Sequence, residues 1–248
     1  MKLCTIFLLA ALPVQLSLGE GIQPADIAAP VQEVLQTFEP TTLEDCAALA
    51  IGAPELMRYS MVSDFIETEI LELSYVDHGL DYADFSIGQF QMKPSFVERL
   101  EAEICNHALL KLQYQELTEY PNDEVQAIRA ERLKRIKSDR YQQLIMKAFF
   151  DYCRLVYCDY LDQLPLPEVV GFIGTTYNMG FDRQVNQVLD YQSLRRFPYG
   201  ARYTGEQHAY GALSTAIFTQ LIKSLCKSTY STSSQDCYAG PVRNNCPW

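Results

Sequence analysis

The chain has 248 residues and a formal net charge of −11. This length allows one large domain with a substantial core or, less simply, two small ones. The acidic balance argues against a general affinity for nucleic acid or for an anionic membrane surface.

The amino-terminal segment has the layout of a secretory signal peptide. Lys2 precedes an apolar run from Ile6 to Leu12, which is followed by small residues up to Gly19. Such a run is too short to span a bilayer, and no later stretch is apolar enough to anchor the chain. We therefore expect residues 1–19 to be a signal peptide and the protein to be exported, periplasmic or extracellular, without a transmembrane segment.

Seven cysteines remain after this predicted cleavage, and we expect some of them to form disulfides because export places the chain in an oxidising compartment. Since seven is odd, one thiol is left without a partner cysteine, and the sequence does not give the pairing. There is no Cys-x-x-Cys pair and the three histidines are scattered, so we expect no metal site and no cofactor. The cysteines are Cys46, Cys105, Cys153, Cys158, Cys226, Cys237 and Cys246.

The proline-containing residues 20–40 are interpreted as a leader, and helices are predicted to begin after them. Thr41 and Glu44 have the spacing of a capping box before a short first helix. A long helix is then predicted from Pro54 to Val76, because its apolar residues recur on one face. Glycines and aspartates interrupt the helical pattern between residues 77 and 92, which predicts a loop or a small β-hairpin.

Helices dominate the rest of the chain. One is predicted to begin at Pro94, a charged and then an apolar helix follow the turn at residues 120–123, and a further helix begins near Pro167. Basic side chains cluster between residues 129 and 140, where they line either a groove or a solvated helix face. The last helix is predicted over residues 206–226. The sequence thus predicts a mainly α fold, with a helical domain over residues 41–226 and a cysteine-bearing polar tail over 227–248.

Two carboxylates lie on or beside the inner face of the predicted long helix. Glu72 is near the end of this helix and just before the glycine-broken loop, and Glu69 shares its face. Partial burial of a carboxyl group raises its pKa, so that it can keep a proton near neutral pH and act as a general acid. Glu72 is therefore the candidate acid and Glu69 its competitor, whereas spacing alone also fits a half-exposed residue without a function.

The loop gives this candidate a context. The segment from Ser86 to Ser95 resembles the Gly-Leu-Met-Gln block of soluble lytic transglycosylases and goose-type lysozymes, with Gly88 and Gln91 at the matching positions. In that family the catalytic Glu lies about eighteen residues before the Gln, and Glu72 lies nineteen residues before Gln91. Glu72 is followed by Leu rather than by the usual Ser, which is a departure from the family pattern.

A second block, from Thr176 to Gly180, resembles the Ala-Tyr-Asn-Ala-Gly stretch of the same family. The resemblance covers residues 55–96 and 168–182, and residues 113–145 look like inserted helical material. It implies a lysozyme-like fold and cleavage of the glycan strands of bacterial peptidoglycan. In this interpretation Glu72 is the single acid and base, and an internal sugar hydroxyl attacks in place of water. The expected sugar-binding positions are Ser86, Gly88, Gln91, Tyr177 and Asn178, with Tyr177 against Glu72.

Other interpretations stay open at this stage. A hydrolase that uses two carboxylates could draw the second from Asp77, Asp81 or Asp84 in the loop. A non-catalytic lysozyme-like protein could use the same groove to bind glycan or a protein partner in the cell envelope. The two matched blocks could also be accidental, in which case Glu72, Gln91 and Tyr177 would lie far apart.

Overall fold

A computed structural model of the chain describes residues 22–59, 65–181, 183–198 and 205–229. The predicted signal peptide and nearly all of the predicted tail lie outside these residues. The fold is mainly α-helical, as predicted, and the described residues contain no β-strand. The helices are α1 (Ala28–Thr37), α2 (Leu43–Gly52), α3 (Leu56–Tyr59), α4 (Phe65–His78), α5 (Pro94–Asn106), α6 (Ala108–Gln113), α7 (Gln115–Thr118), α8 (Val125–Ile136), α9 (Asp139–Val156), α10 (Cys158–Leu161), α11 (Leu166–Met179), α12 (Val185–Gln192) and α13 (Tyr210–Thr229).

Helix α2 lies at the centre of the fold. Every residue from Asp45 to Gly52 is buried, and the helix packs against α9, α11 and α13. A helix that is apolar on all sides is stable only when other elements surround it. The short 3-10 turn Ala53–Glu55 continues α2 and brings the chain out of the core.

The start of α2 differs by one residue from the prediction. Thr42, not Thr41, is the N-cap: its hydroxyl accepts a hydrogen bond from the Asp45 amide at 3.0 Å, and Asp45 accepts one from the Thr42 amide at 3.1 Å. Lys147 Nζ on α9 lies 2.7 Å from Asp45. Although burial by itself would raise the pKa of Asp45, these hydrogen bonds and the Lys147 charge lower it to about 2.

Helices α11 and α13 approach each other closely because small residues lie between them. A Cβ atom on Gly211 would lie 2.3 Å from the carbonyl oxygen of Gly171, and one on Gly174 would lie 2.3 Å from Ser214 Oγ. Real Cβ contacts are essentially never that short, so this interface requires glycine. The close packing fixes the carboxyl end of α11 relative to the start of α13.

The predicted leader contains a helix, so the expectation that helices begin only after residue 40 is wrong. Ile27 and Val34 of this segment are fully buried, and Phe38 stacks on Phe90 with ring centroids 4.8 Å apart. Helix α1 packs against α3 and α13. Of the prolines that suggested a leader, Pro24 precedes the helix, Pro30 lies in its first turn and Pro40 follows it. A missing amide proton costs little at these positions.

The predicted long helix from Pro54 to Val76 corresponds to several elements. Pro54 lies in the 3-10 turn, α3 and α4 follow, and residues 60–64 between them lie outside the described residues. The segment after α4 is irregular from Gly79 to Lys93, as predicted, with one antiparallel bridge between Ile87 and Met92. A β-hairpin with paired strands is not present in this described stretch.

The basic stretch on α8 and α9 is divided: Lys134 and Lys137 line an open depression between α4 and α8, whereas Arg132 and Arg135 are buried. Arg132 is buried and binds Glu98 at 2.9 Å and Glu101 at 2.7 Å. Arg135 is also buried and donates to the carbonyl oxygens of Leu117 and Glu119. These two guanidinium groups pair with carboxylates of α5 and with carbonyl oxygens at the carboxyl end of α7. They therefore stabilise the fold.

Of the residues described, no helix combines the length and the apolarity needed to cross a membrane. Cys46 and Cys153 are buried in the core, and Cys105 is exposed. The predicted disulfides stay a prediction, and Cys237 and Cys246 lie outside the described residues.

Candidate active site

The first sequence block forms a tight turn that side chains hold from both sides. Gln91 has a positive φ of 52°, and its side-chain amide donates to the Gly88 carbonyl at 3.0 Å. Phe90 is fully buried, and its amide donates to Oε1 of the buried Gln142 at 3.0 Å. The turn is therefore anchored to α9, which leaves Gln91 at its outer side.

The second block meets this turn directly. Tyr177, near the end of α11, donates a hydrogen bond from its hydroxyl to the Phe90 carbonyl at 2.7 Å. The two segments, distant along the chain, together with α5 and the end of the 3-10 turn, enclose a cavity of about 450 Å³. It is lined by Glu55, Arg58, Ser86, Gln91, Lys93, Ser95, Phe96, Arg99, Tyr177, Asn178, Met179, Gly180 and Phe181.

Four of the predicted binding residues thus share one cavity. These are Ser86, Gln91, Tyr177 and Asn178. Gly88 does not line it but allows the turn to form, since its φ is 71° and a Cβ atom there would lie 2.3 Å from Gln142 Nε2.

Glu55 is the acidic residue at this cavity. It ends the 3-10 turn after α2 and is only 5% exposed. Arg58 Nη1 lies 3.3 Å from Glu55 Oε2, one turn further along the chain. Burial raises the pKa of Glu55 to about 7, and the Arg58 charge only partly offsets this effect. Glu55 can therefore hold a proton at neutral pH.

Two phenols lie beside the Glu55 carboxyl group: the half-buried Tyr177 of α11 and the buried Tyr210 in the first turn of α13. Burial, and after it the charge of Glu55, raise the pKa of each phenol well above its usual value, so both phenols stay protonated. The Tyr210 hydroxyl favours the charged form of Glu55, but the burial of the carboxyl group outweighs this effect and keeps the pKa of Glu55 high.

Glu72 lies elsewhere. Together with Glu69 it lines an open depression of about 600 Å³ between α4 and α8. Lys137 Nζ lies 2.6 Å from its carboxylate. The structure thus brings the predicted binding residues together around Glu55 rather than around Glu72. The expected contact of Tyr177 with Glu72 is replaced by the hydrogen bond to Phe90.

The loop aspartates proposed as second carboxylates do not line the cavity. Asp84 accepts hydrogen bonds from the Ser95 amide at 3.1 Å and from the Ser95 hydroxyl at 2.9 Å, and so holds the first turn of α5. Asp77 and Asp81 are exposed. Among the described lining residues, Glu55 is the one carboxylate.

The sequence does contain a signal for Glu55. A carboxylate that directly follows an entirely apolar helix has to lie where the core meets the surface. Ala47 to Pro54 is such an apolar stretch, and Glu55 ends it. The resemblance instead indicates a Glu nineteen residues before Gln91. Glu55 lies further back along the chain, because α3 and α4 stand between it and the turn that contains Gly88.

Comparisons of this chain with protein-family models, with curated proteins and with solved structures find no match. The site is therefore interpreted from its own geometry.

Proposed function

We propose that the protein cleaves the glycan strand of bacterial peptidoglycan, with Glu55 as its single catalytic acid. The observation that carries the proposal is a buried glutamic acid, its pKa raised to about 7, at the wall of a cavity lined by amide and hydroxyl groups. Such groups suit the hydroxyls of a sugar, and a lysozyme-like fold is part of the same proposal.

The reaction needs one proton donor. Glu55 gives its proton to the glycosidic oxygen while the bond from that oxygen to the anomeric carbon breaks, and the leaving sugar departs as an alcohol. An internal hydroxyl of the remaining sugar then bonds to the anomeric carbon and forms an anhydro end. The proton of that hydroxyl returns to Glu55. The absence of a second carboxylate among the described lining residues favours this path over a two-carboxylate hydrolysis.

The charges of the lining residues fit this substrate. Arg58, Lys93 and Arg99 line the cavity of a chain whose net charge is −11. Peptidoglycan carries carboxylates on its peptide stems, and a locally basic wall attracts them.

The test compares wild type with Glu55→Gln and Glu72→Gln on purified sacculi, with the products analysed by mass spectrometry. We expect Glu55→Gln to lower the rate by about 100-fold to 10,000-fold, and Glu72→Gln to keep the wild-type rate. Wild-type activity should fall as the pH rises past about 7, because the acid loses its proton. Loss of activity in Glu72→Gln alone would return the catalytic role to Glu72.

A non-catalytic protein that binds glycan or a partner in the envelope is the second candidate. It is favoured by the small exposure of Glu55 and by its ion pair with Arg58. Co-sedimentation of the wild type with sacculi that yields no soluble product would support this candidate against the first. The export predicted from residues 1–19 stays a prediction in either case.

A further inference from the structure

A separate group of side chains lies near the amino end of α13. Asp26, Glu206 and His208 each place one potential metal-ligand atom within 4.8 Å of the other two, and this is the one such group among the described residues. The three come from two distant stretches of the chain. Asp26 belongs to the turn before α1, whereas Glu206 and His208 belong to the segment that leads into α13.

The backbone fixes two of these residues. Asp26 accepts a hydrogen bond from the Gln23 amide at 2.6 Å through Oδ2, which leaves Oδ1 available. His208 is 8% exposed and forms an antiparallel bridge with Phe197, in which its amide donates to the Phe197 carbonyl at 2.9 Å. The Asp26 carboxylate and the backbone that carries the buried His208 side chain are therefore held in place before any ligand arrives.

Electrostatics favour a cation at this position. Two carboxylates within 4.8 Å of each other repel, and a partly buried location weakens the screening by water. Arg195 lies at the adjoining cavity of about 290 Å³, which His208 also lines. A divalent ion that bonds to both carboxylates would offset their negative charge directly.

We propose that Asp26, Glu206 and His208 form a zinc site. One imidazole nitrogen and two carboxylate oxygens suit Zn²⁺, whereas Ca²⁺ and Mg²⁺ prefer oxygen ligands alone. Bonds to zinc are about 2.0 to 2.2 Å long, so the three atoms have to draw together from their present separation, and a fourth position stays open. The exposed Glu206 can supply this movement.

An ion here has a structural consequence for α13. It joins the turn before α1 to the segment two residues ahead of Tyr210, the phenol beside Glu55. The zinc site is nevertheless independent of the proposed reaction, because its residues do not line the cavity at Glu55.

The experiment titrates chelator-treated full chain with ZnCl₂ by calorimetry and follows thermal unfolding by circular dichroism. We expect one saturable zinc per chain and a higher unfolding midpoint with zinc, since an ion that binds the folded state stabilises it. Asp26→Asn and Glu206→Gln should each weaken binding by about tenfold or more. Asp190→Asn, an exposed acid on α12, is the matched control and should bind as wild type does.

His208→Ala removes the nitrogen ligand, and its fold is checked by circular dichroism. Because Glu206 is exposed, Glu206→Gln keeps the proposal testable even if the His208 variant does not fold. No saturable binding by wild type would overturn the site. Equal affinity of wild type and both carboxylate variants would identify adventitious binding only, and tighter binding of Ca²⁺ than of Zn²⁺ would overturn the zinc assignment.

Discussion

Replacing Glu55 by glutamine should change how stability depends on pH. The pKa of Glu55 is raised by burial from 4.5 to about 7 in the folded chain. Between these two values the unfolded chain has lost a proton that the folded chain keeps. The folded state is therefore favoured at low pH, and its stability falls as the pH rises through this window. Above about pH 7 both states are ionised and the loss is complete.

The size of this loss follows from the shift. One pKa unit corresponds to about 1.4 kcal/mol, so the charged carboxylate costs the fold about 3 kcal/mol above pH 7. Glu55→Gln cannot ionise and should not pay this cost. The variant also removes the ion pair of Glu55 with Arg58, whose effect is already contained in the pKa of Glu55. The informative quantity is therefore how the difference in free energy of unfolding between Glu55→Gln and wild type changes with pH.

Urea denaturation followed by circular dichroism at pH 5, 6, 7 and 8 measures the free energy of unfolding. The advantage of Glu55→Gln over wild type should grow by about 3 kcal/mol across this series. Glu72→Gln is the control, since it retains Glu55 and should keep the wild-type fall. Parallel curves for wild type and Glu55→Gln would refute the raised pKa, and with it the physical basis of the proposed acid.

Two further predictions concern the elements that position the site. Asp45→Asn should destabilise the fold by about 2 kcal/mol near neutral pH, because the pKa of Asp45 is lowered from 3.8 to about 2 in the folded chain. The difference in stability from wild type should vanish as the pH falls through that window. Acid titration of both proteins measures this. Gly88→Ala should cost more than the roughly 1 to 2 kcal/mol of a left-handed residue, because its Cβ also displaces Gln142. In a Gln142→Ala background the same substitution should cost only the conformational part, and equal losses in the two backgrounds in urea denaturation would contradict the steric argument.

The fold could be predicted where periodicity and capping residues agree. Pro94 begins α5 and Pro167 lies in the first turn of α11, as expected from the preference of proline for this position. Helix α1 was missed because the prolines of residues 20–40 suggest an irregular segment, whereas tertiary contacts, such as Phe38 on Phe90, stabilise the helix. The shift from Thr41 to Thr42 at the start of α2 depends on Asp45, whose pairing with Lys147 is a long-range contact that local spacing does not contain.

The site was predicted in part for a similar reason. The two sequence blocks contain their own turn and helix end, so Gln91, Tyr177 and Asn178 could be named without knowing what lies between them. The proposed acid, Glu55, could not be identified from such local patterns. Its position at the cavity depends on the packing of α2 in the core. A spacing rule counts residues along the chain, and it fails when further helices stand within the interval.

The burial of α2 links the stability of the protein to its proposed chemistry. The core surrounds α2, and this places Glu55, at the end of the 3-10 turn that follows α2, at the wall of the cavity. Burial of the carboxyl group there disfavours its charged form, so the proton is retained. The same desolvation that costs stability above pH 7 thus keeps an acid available at neutral pH. The Tyr210 hydroxyl favours the charged form of Glu55, so Tyr210→Phe, which loses that hydroxyl but keeps the ring, is the reference for Tyr210→Ala, which also admits water. Compared with Tyr210→Phe, Tyr210→Ala should have a lower pKa of Glu55 and lose activity at lower pH. Identical pH profiles of the two variants would separate the acid from its burial.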